Sequence, residues 1–316
     1  FMGFFASLIN SMPSAVAQGL IWGIMAIGVY LTYRILDVAD LTVDGSLGTG
    51  GAVCVVMVLN GVPVGLALLA ATAAGMLAGL VTGLFHTACG IPAILAGILT
   101  QLALYSVNLR IMGFGTGGGK ANLPISVDKY SLLVSARYVR NVALNNPILI
   151  LTIFCAVLIA VLYWFFGTEL GCSLRATGAN QNMARAQGIN TNVAKVLGLM
   201  ISNGLVALAG GLLAQYQGFS DINMGRGAIV IGLAAVIIGE VIFSRIFRNF
   251  ALKLLSAVIG AIIYYIVMVF VLRLGLSTDD LKLLTALVVA LFLTIPYWKG
   301  KYFTKTSVKK GEKNHA

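Results

Sequence analysis

The sequence predicts an all-α integral membrane protein, a polytopic helical bundle of about eight to ten spans, some of them broken or re-entrant. Three observations predict it. Of 316 residues, 59% are hydrophobic and only 10% charged, where a soluble globular chain has about a quarter charged. With histidine neutral, no charged side chain lies between Asp44 and Arg110, a stretch that crosses a bilayer two or three times at about 20 residues per helix. The apolar runs are continuous and lack the every-second-residue alternation of a membrane barrel, which leaves helices to satisfy their own backbone in lipid.

Apolar runs and polar breaks give nine candidate spans: 15–35, 46–60, 63–85, 92–111, 147–167, 192–217, 228–244, 251–272 and 281–298. The second and seventh are short, as half-helices or re-entrant segments buried by neighbours would be. Residues 1–14 are expected to form a separate interfacial helix, with Phe4, Phe5, Leu8 and Ile9 set around Ser11 and Ser14. Residues 15–298 then form one transmembrane domain and 299–316 a basic tail. Phe1 is no initiator, and the opening residues lack the basic leader of a cleavable signal, so no secretory signal is expected.

A formal charge of +11 would suggest nucleic acid in a soluble protein, but here the basic residues lie mainly in short loops and the tail. Membrane topology and lipid explain them, and no nucleic acid partner is expected. A polar island at 168–190 and the tail collect Arg175, Arg185, Lys299, Lys301, Lys305, Lys309, Lys310 and Lys313. On the same side fall Arg34, Lys195, Arg245, Arg248 and Lys253, leaving eight of the 21 basic residues on the other. That bias puts the island and the C-terminus in the cytoplasm and the N-terminus outside, with five spans before the island and four after it. The loop at 113–146 becomes the sizeable extracytoplasmic surface. Its Gly-rich start is no phosphate loop, because Phe114 stands where the first glycine belongs and Ala121 replaces the hydroxyl. The chain is thus expected to carry no nucleotide site or other cofactor of its own.

Enzyme chemistry finds little material. His86 and His315 are the two histidines, too few for a metal cluster or a Ser-His relay. Cys54, Cys89, Cys155 and Cys172 have no paired spacing and read as small buried residues without disulfides. Within the island, Asn180 has the side chain to cap a short helix through Arg185 that Gly188 ends, presenting Met183, Gln187 and arginines to a soluble partner.

Inside the membrane, Asp37, Asp40 and Asp44 cluster between two spans, followed by Gly45, Gly48, Gly50 and Gly51. Such carboxylates either line a protein cavity beside a broken helix or cap helices at a cytoplasmic turn. Gly75, Gly79 and Gly83 recur at four-residue spacing and read as a close helix-packing face. Gln101, Asn108, Asn203, Gln215 and Gln217 are candidate interhelical hydrogen-bond partners or path-lining groups. Glu240 is expected to cap a re-entrant break or pair with Arg245 or Arg248.

The run Leu174-Arg-Ala-Thr-Gly-Ala-Asn-Gln-Asn-Met-Ala-Arg-Ala-Gln-Gly-Ile-Asn190, with Ser202-Asn-Gly-Leu-Val-Ala-Leu-Ala-Gly-Gly211 and Ala234-Ala-Val-Ile-Ile-Gly239, resembles the membrane permeases of ABC importers. The match is to the branched-chain amino acid and ribose permease superfamily, over most of the chain. A narrower likeness in Asp40-Leu-Thr-Val-Asp-Gly-Ser46, Leu95-Ala-Gly-Ile-Leu99 and Leu104-Tyr-Ser-Val-Asn-Leu-Arg-Ile-Met-Gly113 is to the subgroup linked to tryptophan and tyrosine uptake. Where the wider superfamily has Asn-Phe-Ala-His-Gly, this chain has Leu41-Thr-Val-Asp-Gly45 after Asp40.

The resemblance implies a permease subunit of the bacterial plasma membrane that pairs with a second copy around a central path. It further implies an extracytoplasmic binding protein and cytoplasmic ATPase subunits, which would hold ATP and Mg. Arg175, Gly178, Asn180, Ala184, Arg185 and Gly188 then become coupling residues, and Asp40, Thr42, Asp44, Asn108 and Asn203 candidates for lining the path. The competing expectation is an ion-coupled secondary transporter that uses the Asp37 to Asp44 cluster as its ion site.

Overall fold

A computed structural model describes residues 2–115, 117–126, 129–139, 146–243, 247, 249–273, 283, 285–292 and 294, with only the backbone of 2–8. The helices are α1 Met2–Tyr30, α2 Val43–Leu59, α3 Val64–Thr87, α4 Ala93–Met112, α5 Pro147–Phe165, α6 Glu169–Ala179, α7 Gln181–Ala186, α8 Thr191–Gln217, α9 Ala228–Phe243 and α10 Phe250–Arg273. Further helical residues lie between 283 and 294, and the expected tail at 299–316 lies outside the described residues, as do Arg245 and Arg248. Two three-residue strands, β1 Asn122–Pro124 and β2 Phe219–Asp221, pair antiparallel beyond the outer ends of α4 and α8.

Among the described residues, six helices are long and apolar enough to cross a membrane, and α2 and α9 are shorter apolar helices. The eight agree with the sequence-derived spans because each run is bounded by a polar or proline break. Pro63, Pro92 and Pro147 sit at or beside the starts of α3, α4 and α5, where the missing N–H costs nothing.

Residues 2–14, expected as an interfacial helix, are helical and continuous with the helix that follows. They form the first turns of α1, which continues through Pro13; membrane helices tolerate such a proline because neighbours satisfy the freed carbonyl. Cys54 and Cys155 are buried as expected, but Cys89 and Cys172 are exposed, at the loop after α3 and on the outward side of α6.

The centre of the bundle is α1 and α8, with α3, α4 and α5 presenting long apolar faces outward. Small residues let α8 approach its neighbours. A Cβ at Gly75 would strike Asn203 and Ala207, one at Gly79 would strike the Leu199 carbonyl and lie 2.9 Å from Met200 Cα, and one at Gly83 would lie 3.0 Å from Val196 Cα. The glycine face of α3 therefore seats on the backbone of α8, where dispersion replaces the hydrophobic drive that lipid does not supply. On the opposite side of α8, the Ser202 hydroxyl donates to the Gly28 carbonyl of α1 at 2.7 Å.

Gly79→Leu is expected to lower bundle stability by about 1–3 kcal/mol, read as a lower melting temperature in detergent. Gly65→Ala, where a Cβ meets nothing within 4 Å, is the matched control and should leave the transition unchanged.

Candidate functional site

Two helices begin inside the bundle rather than at its surface. The end of α1 widens into a π-helical turn at Leu31–Ile35, closed by Leu36 N–H on the Leu31 carbonyl at 3.0 Å. Asp37 then takes a left-handed φ of +54° and the chain climbs back to start α2 at Val43. The segment after β2 leads from the paired strands to the start of α9 at Ala228.

Asp44 joins the two starts. Its carboxylate accepts the Gly227 N–H at 2.9 Å and the Ile229 N–H at 3.0 Å, so it caps α9 from another element and satisfies two amides that have no helical acceptor. From Asp44, α2 runs for about 22 Å toward the end where β1 and β2 pair and α9 runs the other way for about 22 Å, at 1.5 Å per residue. The carboxylate thus sits near the middle of the bundle.

One turn away, Asp40 is 3% exposed. Its Oδ1 accepts the Thr42 N–H at 2.9 Å and its Oδ2 accepts from Asn203 Nδ2 at 2.7 Å. The same amide accepts the Ser46 hydroxyl through Oδ1 at 2.6 Å and donates to the Leu199 carbonyl at 3.0 Å. A second chain of hydroxyls, Thr42, Thr82 and Thr100, links the break to α3 and α4 at 2.7 and 2.9 Å. Ser46, Thr82 and Thr100 were missed in the sequence, where a hydroxyl in an apolar run gives no sign of its partner.

These contacts divide the expected path residues. Asp40, Thr42 and Asn203 are buried in the core, where they hold one another and α8. Asp44 and Asn108 do reach a cleft of about 290 Å³ between α2, α4 and the descent to α9, shared with Gly45, Gln101, Tyr105 and Arg226. The three aspartates of the cluster also part company. Asp37 is exposed, Asp40 serves Asn203 and Asp44 serves α9, and no group of three acidic, histidine or cysteine side chains that could hold a metal occurs among the described residues.

The polar island is a helical hairpin at the end of the bundle where α1 stops. Thr168 caps α6 through the Gly171 N–H at 3.4 Å, and Asn180 caps α7 through the N–H groups of Asn182 and Met183, both at 3.1 Å. Gly188, at φ +83°, turns the chain into α8, whose first N–H groups bond to Asn190. Arg185 Nε donates to the Thr191 hydroxyl at 2.9 Å, Ala184 is buried and Met183 is 59% exposed. Arg175 does not project freely: its guanidinium stacks over the Phe250 ring at 5.4 Å.

Gly178 meets the Ile35 carbonyl so closely that no Cβ fits, which seats α6 on the π-turn. Nearby, Glu240 of α9 accepts from Arg34 Nε at 2.7 Å. The expected partners Arg245 and Arg248 lie outside the described residues. At the same end, Lys195 Nζ lies 3.4 Å from His86 Nε2, and His86 Nδ1 lies 2.9 Å from the Ile91 carbonyl.

Asn203→Leu deprives Asp40 of its amide donor and Ser46 of its acceptor, and is expected to cost about 2–4 kcal/mol. Combined with Asp40→Leu, the loss should fall short of the sum by more than about 1 kcal/mol; strictly additive melting shifts would show the bond to be idle.

Comparison with known proteins was made against this geometry. The family model described as branched-chain amino acid transport system / permease component matches residues 11–295. A tyrosine transport system permease protein of Clostridioides difficile (strain R20291) is 41% identical over 284 residues, covering 90% of each chain. An autoinducer 2 import system permease protein LsrC of Salmonella typhimurium is 27% identical over 74% of this chain and 63% of its own length. Among solved structures, PsaBC from Streptococcus pneumoniae in complex with Fab shares the fold, with a TM-score of 0.52 at 16% identity over 95% of this chain and 98% of that one. A multi-pass bundle with half-length helices meeting at a central cleft is what a translocating subunit requires, and the chain belongs to the branched-chain amino acid transport system permease family, the membrane component of ABC importers.

Proposed function

We propose that two copies of this chain form the path of an importer for an amino acid of the aromatic class, driven by a separate ATPase that holds ATP and Mg. The observation that carries the ATPase reading is the α6–α7 hairpin. Three side-chain caps fix its shape, Gly178 seats it on the π-turn, and its tip leaves Met183 exposed beside Arg185 and Gln187. A rigid tip with an exposed apolar anchor and a cation suits a groove on a soluble partner.

Basic residues at the hairpin end favour a cytoplasmic hairpin in a bacterial plasma membrane, with the N-terminus outside and the C-terminus inside. The β1–β2 surface is then extracytoplasmic and receives a binding protein. The relative named for tyrosine transport supports the solute class. Against an ion-coupled carrier stands the separation of Asp37, Asp40 and Asp44 into three unrelated roles.

Arg185→Glu is expected to reduce both co-purification of the ATPase and ATP-driven uptake by about tenfold or more, with the variant still eluting as a monodisperse protein. Full retention of both would overturn the docking assignment.

A further inference from the structure

The descent between β2 and α9 carries a cation into the membrane interior. Gly225 rests against the Asp44 carbonyl, and Gly227 and Ile229 bond to its carboxylate. Arg226 is therefore at the depth of Asp44, about 22 Å below the outer end of α2 at Leu59. There its side chain is exposed and forms no ion pair among the described residues. Arginine facing hydrocarbon at that depth is costly, so this face borders the aqueous path and not lipid.

The cleft beside it contains a second unsatisfied group. Asn108 is 2% exposed and its Oδ1 has no hydrogen-bond partner among the described residues, a deficit that interiors fill with water or a ligand. Gly48 lets the Asn108 amide approach α2 closely, since a Cβ there would lie 3.2 Å from Asn108 Nδ2. Each Asp44 oxygen accepts one backbone N–H, which leaves lone pairs for a further donor. Tyr105, 42% exposed, stands at the rim.

We propose that this cleft is where the solute is chosen, a subsite for the head of a zwitterionic α-amino acid. Arg226 pairs with the carboxylate, Asn108 Oδ1 accepts from the ammonium beside Asp44, and the Tyr105 ring packs on the side chain. The cation and the two acceptors line one cleft, as the two charges of that head require. The subsite rests on the importer reading given above.

The test uses the full assembly of permease, ATPase and binding protein in vesicles, with each of the twenty amino acids as radiolabelled solute. ATP-driven uptake of tyrosine by the native assembly is expected; uptake of none of the twenty overturns the importer reading and the subsite together. With native uptake present, Arg226→Gln should lower tyrosine uptake at limiting solute by about tenfold or more, and Arg226→Lys should recover most of it. Tyr105→Ala should shift the ratio of tyrosine to leucine uptake by about threefold or more, and Tyr105→Phe should not. Uptake and ratio within about twofold of native in both Arg226→Gln and Tyr105→Ala overturn the subsite and leave the importer reading standing. Should Arg226→Gln fail to assemble, the Tyr105 pair decides alone.

Discussion

The architecture depends on one carboxylate satisfying the backbone of a helix that starts inside the membrane. Amides at a helix N-terminus have no helical acceptor, and lipid offers none. Asp44 supplies two acceptors to α9, and because Asp44 itself lies in the first turn of α2, the two helix starts are fixed to each other. That junction permits polar backbone at mid-depth, and so it permits a cleft there. Asp40 performs the related task for the α2 break, accepting the Thr42 N–H on one oxygen and holding α8 through Asn203 with the other.

Close packing supplies what these polar contacts cannot. The glycines of α3 bring it onto the backbone of α8, Gly50 and Gly210 bring α2 and α8 together, and Gly239 and Gly260 do the same for α9 and α10. At such distances a helix is held by backbone shape and is hard to shift by a fraction of an ångström without losing many contacts together. The bundle is therefore stiff around α8, and the less tightly braced surface is the cleft side of α4.

Much of this was legible in the sequence. Span limits were readable because proline, glycine and polar breaks stop helices by local chemistry, and the α7 cap at Asn180 was readable for the same reason. The roles of the aspartates were not, since Asp40 and Asp44, four residues apart, answer to partners about 160 to 190 residues away on α8 and at the start of α9, while Asp37 between the same two spans is exposed. Nor does anything local to Arg226 say that the chain after β2 turns back into the bundle. The continuity of α1 through Pro13 and the Arg34–Glu240 pair are of the same kind: each is decided by a neighbour that local pattern does not name.

The contacts also close into a frame. From Arg34 the chain runs through the π-turn and the break to Asp44, Asp44 holds the start of α9, and α9 returns through Glu240 to Arg34. Its ion pair, partly exposed at the surface, adds little energy by itself; its consequence is geometric, since α9 is tied at both ends to the one short reach of chain from Arg34 to Asp44. The hairpin touches that frame at one place, where Gly178 meets the Ile35 carbonyl, while Leu36 fills the space that Gly198 leaves beside Leu174. A displacement of α6 therefore has no soft element to absorb it before the break, and the break carries Asp44. In the proposed cycle this is the shortest physical route between a cytoplasmic hairpin and a cleft half a membrane away, and it passes through backbone contacts and not through a relay of side-chain charges.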